Sequence, residues 1–229
     1  MSKLDNCCKE KLSLSTAKLS AEYYYQSLPL CLIDAVFSIG IRYTTTRNVV
    51  IRFCDKLEIK RLREHGSSYP TSSNQFSVDD LLDILSKNNI KVITNDYFGN
   101  RCRTSSTNGI LKSEAVLKFA KILNKYGVNY FQDLEKIVGN IDFEADIKKI
   151  AGQGSGISTT YFYMLAGEDN YIKPDRIILR FIEKCVGKAV DPTTATKLLE
   201  ESHKKLQKDF PNLTLRELDH EIWKHSKIK

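Results

Sequence analysis

The chain has 229 residues, 41% of them hydrophobic and 28% charged, with a formal net charge of +7 and a pI near 9.0. That length can bury a sizeable core, as one compact unit or two joined lobes, and the charge favours an anionic partner. No apolar run approaches the length of a membrane span and the amino terminus has no apolar signal core, so the expectation is an intracellular protein, cytoplasmic or nucleoid-associated, with no membrane partner.

Helix patterns dominate in chain order. Residues 13–27 read as an opening helix, in which the three rings Tyr23, Tyr24 and Tyr25 cannot share a face. Residues 28–40 read as a more apolar helix, with Pro29 suited to its first turn. Thr44, Thr45 and Thr46 start the next, whose core face is Val49, Val50, Ile51 and Phe53. The character changes over 61–103: residues 66–74 have loop composition, Ser77 is an N-cap for the helix that follows, and Lys91–Thr94 reads as a short strand. Residues 109–126, 129–138 and 143–150 are helical, as are 159–166, 176–184, 192–208 and 214–227, the last opened by a Thr214-x-x-Glu217 capping box. Six cysteines (Cys7, Cys8, Cys31, Cys54, Cys102 and Cys185) show no C-x-x-C pair and no zinc spacing, so reduced thiols and no metal site are expected.

The segment 147–157, Ile-Lys-Lys-Ile-Ala-Gly-Gln-Gly-Ser-Gly-Ile, is the most informative stretch. Gly152, Gly154 and Gly156 permit positive φ and close approach of another backbone, so the turn offers bare N–H groups at the start of the helix that follows. Those donors, with the positive end of the helix dipole, suit a phosphate whatever the base attached to it. Farther on, Tyr171-Ile-Lys-Pro-Asp175 precedes another helix. An aspartate there caps the first free N–H groups, and a capping carboxylate is also oriented to stabilise positive charge.

The order of hairpin, buried-looking helix and Pro-Asp resembles the helix-hairpin-helix DNA glycosylase superfamily (HhH-GPD), which includes endonuclease III and the alkyladenine glycosylases. Residues 147–184 carry the resemblance. Ile150-Ala-Gly152-Gln153-Gly154 stands for the apolar-x-Gly-apolar-Gly hairpin, Ser158 or Thr159 for a small helix-packing residue, Asp175 for the catalytic aspartate, and Arg180 for a basic residue one turn later. Residues 28–42 and 112–123 resemble an early core helix and a later one leading to the hairpin. The resemblance implies an all-α, two-lobed fold. One lobe would be 28–165, with an insertion at about 61–103; 1–27 with 166–229 would form the other and carry Asp175 at the mouth of a DNA-binding cleft. It also implies a monomer that binds double-stranded DNA, flips out a damaged or modified base and hydrolyses its N-glycosidic bond without a cofactor. Flipping is needed because the anomeric carbon is out of reach while the base stays stacked.

Departures refine that expectation. Gly156 stands where bifunctional relatives keep a Schiff-base lysine, so the implied enzyme is monofunctional. Gln153 is polar at an apolar position, and Gly40 stands where several relatives carry a glutamine that fills the DNA gap. Only Cys185 lies beyond the hairpin, so no iron–sulfur cluster is expected. Candidate DNA contacts are Gly152, Gln153, Gly154, Ser155, Gly156, Lys149, Arg42, Arg47 and Lys173; Tyr43, Tyr161 and Tyr163 are candidates for a base pocket. Asp219-His220-x-x-Trp223 pairs a carboxylate with an imidazole but reads as a packing motif, with Trp223 buried and Asp219 fixing a neighbour. Two other classes stay open: a non-catalytic hairpin protein that binds DNA, and a helical protein-interaction domain.

Overall fold

The computed structural model describes residues 2–227 and is all-α, with no strand among the described residues and two isolated bridges, Tyr25 with Leu62 and Arg103 with Leu111. The chain forms two compact units: Ala21–Ala166, and the residues up to Ser20 taken with those from Gly167 onward. The boundary lies at Ala21 rather than Leu28. Tyr25 belongs to the first unit because its hydroxyl donates to Asp34 at 2.7 Å, and Gln26 N–H donates to the Arg61 carbonyl at 2.9 Å.

In that unit α2 (Leu28–Phe37) is the central element, apolar except for Asp34 and buried at every residue. Pro29 sits in its first turn, where a missing N–H costs nothing. Around it pack α3 (Tyr43–Leu57), α6 (Lys112–Lys125) and α8 (Ile157–Ala166). The carboxyl end of α2 is closed from outside its own sequence: Lys112, buried at the head of α6, donates from Nζ to the Phe37 and Ile39 carbonyls at 2.8 and 2.5 Å. A cation against the negative end of a helix dipole is favourable, and the two carbonyls meet the need of a buried ammonium for acceptors. Helix α4 (Val78–Lys87) opens with a capping box between Ser77 and Asp80. The expected strand at Lys91–Thr94 is instead helical, as the short α5 (Ile90–Val92) runs into a π-turn over Ile93–Tyr97. Asn89 caps Lys91 N–H, Ile93 and Thr94 are buried, and Phe98 just beyond stacks on Phe53; this packing outweighs β propensity. Residues 129–138 tighten to a 3-10 helix, Phe131–Lys136, before α7 (Ile141–Lys148).

The second unit contains α1 (Lys3–Lys11), α9 (Arg176–Val186), α10 (Pro192–Leu206) and α11 (Leu215–Lys227). The opening helix lies at Lys3–Lys11, started by a Ser2–Asp5 capping box; the expected helix over 13–27 is replaced by 3-10 turns at Leu14–Thr16 and Ala21–Tyr23. Leu4 and Cys8 of α1, Ile178, Phe181 and Ile182 of α9, Leu199 of α10 and Leu218 and Ile222 of α11 share one core. Truncating a residue such as Ile182 to alanine removes its contacts in that core and costs about 2–5 kcal/mol. The expectation of six reduced thiols is corrected here. Cys7 and Cys185 form a disulfide with Cα atoms 5.7 Å apart, joining α1 to α9. Cys8 is a buried free thiol pushed up to about 12, chiefly by burial, which disfavours its thiolate.

Candidate phosphate-binding hairpin and capped aspartate

Helix α7 starts where the Asn140 side chain accepts the Phe143 N–H at 3.0 Å, and it runs straight into the glycine turn. Two tight bonds fold that turn: Gln153 N–H to the Ile150 carbonyl at 2.9 Å and Gly156 N–H to the Gln153 carbonyl at 3.0 Å. Gly152 (φ +81°) and Gly156 (φ +73°) are left-handed, but Gly154 is not, so only two of the three glycines are needed for backbone conformation. The polar Gln153 is buried, and its side-chain oxygen accepts from Ser158 Oγ in the first turn of α8. A buried amide thus occupies the apolar hairpin position with its oxygen bonded to the next helix, while its Nε2 has no hydrogen-bond partner among the described residues. Gly154 and Ser155 are exposed, and among the described residues no hydrogen bond takes up their N–H groups. Ser155 Oγ makes a long contact with Ile157 N–H, 3.4 Å, where α8 begins.

Sequence reasoning missed what braces this turn. Thr104 Oγ1 donates to the Ala151 carbonyl at 2.8 Å and accepts Ile110 N–H at 3.1 Å, tying the hairpin to the loop before α6. A Cβ built on Gly152 would lie 2.4 Å from Thr104 Cβ. Gly152 therefore serves close packing against Thr104. At Gly156 a Cβ would meet only the exposed, movable Lys148 side chain, with Cε at 3.1 Å, but on a left-handed backbone, so a lysine at this position would be strained.

The remaining candidates of this unit divide by burial. Lys149 is exposed and paired with Asp146 at 2.7 Å; Asp146 also receives Lys125 at 2.6 Å, and the two ammonium donors hold its carboxyl well below the usual range. Arg42 is exposed at the start of α3. Arg47 is exposed too, but it pairs at 2.9 Å with Glu22, which also binds Arg61. Tyr43 is half-buried and Tyr161 buried; burial, then the Asp34 charge and hydrogen bond, push the Tyr25 phenol up, with smaller contributions from Tyr161 and Tyr43. Burial, Glu22 and Asp34 likewise raise the Tyr43 phenol. Tyr163 is placed in the core, 1% exposed, with its hydroxyl donating to the Ile137 carbonyl at 2.9 Å, and so leaves the pocket set.

In the other unit Asp175 is the N-cap of α9, its Oδ1 accepting Ile177 N–H at 2.8 Å and Ile178 N–H at 3.4 Å. Arg180 is exposed one turn farther along that helix. Lys173, half-buried, gives its backbone N–H to Asp219 Oδ1 at 2.9 Å. Asp219 does fix a neighbour; Trp223 is only half-buried, stacked against His220 with Lys227 Nζ 3.5 Å from its ring centre. Burial, then the Asp175 charge, pushes the Asp219 carboxyl up to about 7. Burial, with Lys224 and Lys227, pulls His220 down to about 4.

These two neighbours act oppositely on stability. The folded state holds a proton on Asp219 that the unfolded chain releases near 3.8, so stability falls as pH rises from there to about 7. His220 takes its proton near 6.5 only when unfolded, so stability falls as pH drops from there to about 4. Asp219→Asn is expected to remove the first effect. Its stability relative to the parent should then climb by up to about 1.4 kcal/mol per pH unit between about pH 4 and 7. Urea midpoints taken across that range check this, and a constant difference would place the Asp219 titration elsewhere.

Among the described residues no helix is long and apolar enough to cross a membrane, and no group of three or more His, Cys, Asp or Glu side chains is arranged to hold a metal ion. Residues 2–227 match the model of a protein family described as Domain of unknown function (DUF8548). No curated protein and no solved structure matches the chain.

Proposed function

We propose that the chain, which belongs to the DUF8548 family, is a monofunctional DNA N-glycosylase that binds duplex DNA, flips out a damaged or modified nucleotide and hydrolyses its base–sugar bond. The observation that carries the reading is the hairpin itself: two helices joined by a tight glycine turn whose exposed apex leaves the Gly154 and Ser155 N–H groups to an outside acceptor. Donors of that kind at a helix start suit a phosphate and are indifferent to base identity. Arg42 and Lys149, both exposed, supply further charge, and Lys149 would exchange Asp146 for phosphate.

Asp175 supports the chemical half. As the glycosidic bond breaks, its electron pair leaves with the base and positive charge gathers at the anomeric carbon, where water then adds and releases a proton, leaving the sugar hydroxyl while the departed base takes up a proton. An oriented carboxylate stabilises that charge, and the α9 cap bonds hold the Asp175 carboxylate by its Oδ1. Tyr43, half-buried at the start of α3, and Tyr161 of α8 are proposed to line the base pocket.

The test is a panel of duplexes bearing different modified bases, followed by alkali to reveal abasic sites. Release of a base from at least one duplex supports the reading. Salt-sensitive duplex binding without release from any would favour a non-catalytic hairpin protein in which Asp175 only caps, and absence of binding would leave a helical interaction domain. Borohydride is expected to trap no protein–DNA adduct and the abasic strand should stay intact, because Gly156 offers no amine. Strong trapping that disappears in Lys173→Gln would instead reveal a lysine nucleophile.

A further inference from the structure

We propose that Asp219 is the positioning residue of Asp175, holding from α11 the turn that presents the proposed catalytic carboxylate; this rests on the glycosylase reading. The segment 167–175 has no regular structure, yet α11 grips it at two points. Arg216 pairs with the Asp169 carboxylate at 2.7 Å and gives its N–H to the Asp169 carbonyl at 3.1 Å. Asp219 accepts the Lys173 N–H at 2.9 Å. Positions 216 and 219 are three apart, so both side chains leave the same face of the helix, and both are buried.

Between the second grip and Asp175 little freedom remains. Pro174 fixes its own φ, Asp175 N–H returns to the Lys173 carbonyl at 2.6 Å, and the Asp175 side chain is held by Ile177 and Ile178 N–H. Displacing Lys173 therefore displaces Asp175. A buried carboxylate is also a costly way to fill space, because burial outweighs what the Lys173 N–H and charge offer it. An apolar residue would pack there at lower cost, so the carboxylate points to a role beyond packing.

The charged groups facing Asp219 are Asp175, at the head of α9, and Lys173 in the loop; burial and Asp175 raise its carboxyl to about 7, while the Lys173 N–H and charge oppose this. The ionised form accepts more strongly from the Lys173 N–H. The turn is accordingly firmest above neutrality and loosens as Asp219 takes up its proton.

The experiment follows the backbone amides of Lys173, Ile177 and Ile178 by nitrogen-15 NMR from about pH 5.5 to about pH 8.5, in the full chain and in Asp219→Asn, with the pH profile of base release measured alongside. The Lys173 amide should move with a midpoint near 7, the two amides bonded to Asp175 should follow at the same midpoint, and both movements should vanish in the variant. Base release should rise through that midpoint in the parent; in Asp219→Asn that limb should be absent and kcat at the upper plateau lower by roughly 10- to 100-fold, with duplex affinity unchanged. Amides at 177 and 178 that ignore the Lys173 titration would overturn the proposal, whatever the activity. The parent alone decides that point should the variant fail to fold. Coupled amides in a protein that releases no base would uphold the link between Asp219 and Asp175 and sink the glycosylase reading instead.

Discussion

Asp175→Asn is expected to leave the fold and duplex binding intact while lowering base release by about 10³-fold or more. Two properties of the site make this a clean substitution. Asparagine caps a helix as well as aspartate does, so the amide oxygen can still accept the Ile177 and Ile178 N–H groups and α9 keeps its start. The amide carries no charge, so it does little for the positive charge that develops as the base departs, and only interactions that strengthen toward the transition state accelerate the step. Asp175→Ala would be less informative: it removes the cap too, costing about 1 kcal/mol, and would mix a folding effect with a chemical one. Single-turnover base release with parent and Asp175→Asn, alongside duplex affinity and helicity, makes the comparison. Full activity in the purified variant would end the catalytic assignment.

What could be read without coordinates follows the range of the interaction concerned. The Ser77 N-cap, the Thr214–Glu217 capping box, the first-turn Pro29 and the N-cap Asp175 are made by residues within three positions of each other, and all were legible, though the reciprocal Asp80 half of the Ser77 cap was not. The interactions that escaped reading are long-range. Nothing local marks Lys112 as the group that closes α2, since a lysine at a helix start ordinarily stays in water. Cys7 and Cys185 are separated by 178 residues, and no spacing rule joins a vicinal pair to one distant cysteine. At 13–27 the apolar positions fit a helix, but Tyr25 is drawn to Asp34 and the Leu62 bridge, which leaves only short turns. The hairpin was legible as a glycine pattern, the division of labour among its glycines was not, and Asp219 was readable only as a residue that fixes some neighbour.

That division of labour sets the second large effect. Gly152→Val and Gly154→Ala both alter one motif, but they are expected to fail differently. At Gly152 the new side chain meets Thr104 Cβ and Oγ1 at 2.4 Å and the Thr104 carbonyl carbon at 3.1 Å, on a backbone with φ +81° that a β-branched residue rarely adopts. Left-handed strain of about 1–2 kcal/mol and overpacking of about 1–3 kcal/mol add to a loss on the order of 3 kcal/mol, with the Thr104–Ala151 brace broken. Binding would then fall because the turn has moved, which says nothing about phosphate. At Gly154 a Cβ meets only the Lys148 carbonyl at 3.8 Å and φ is not left-handed, so Gly154→Ala should fold like the parent, within about 0.5 kcal/mol. Its methyl group sits on the exposed apex where a phosphate would rest against the 154 and 155 N–H groups. Affinity for unrelated duplex sequences should therefore drop by a similar factor for each, roughly tenfold at moderate salt, a loss comparable to that of one charge-assisted hydrogen bond. Thermal melts and salt titrations on both variants separate the cases. Unchanged duplex affinity in a stable Gly154→Ala would remove the hairpin apex from the DNA interface, and a stable Gly152→Val would mean that Thr104 yields more readily than its two bonds suggest.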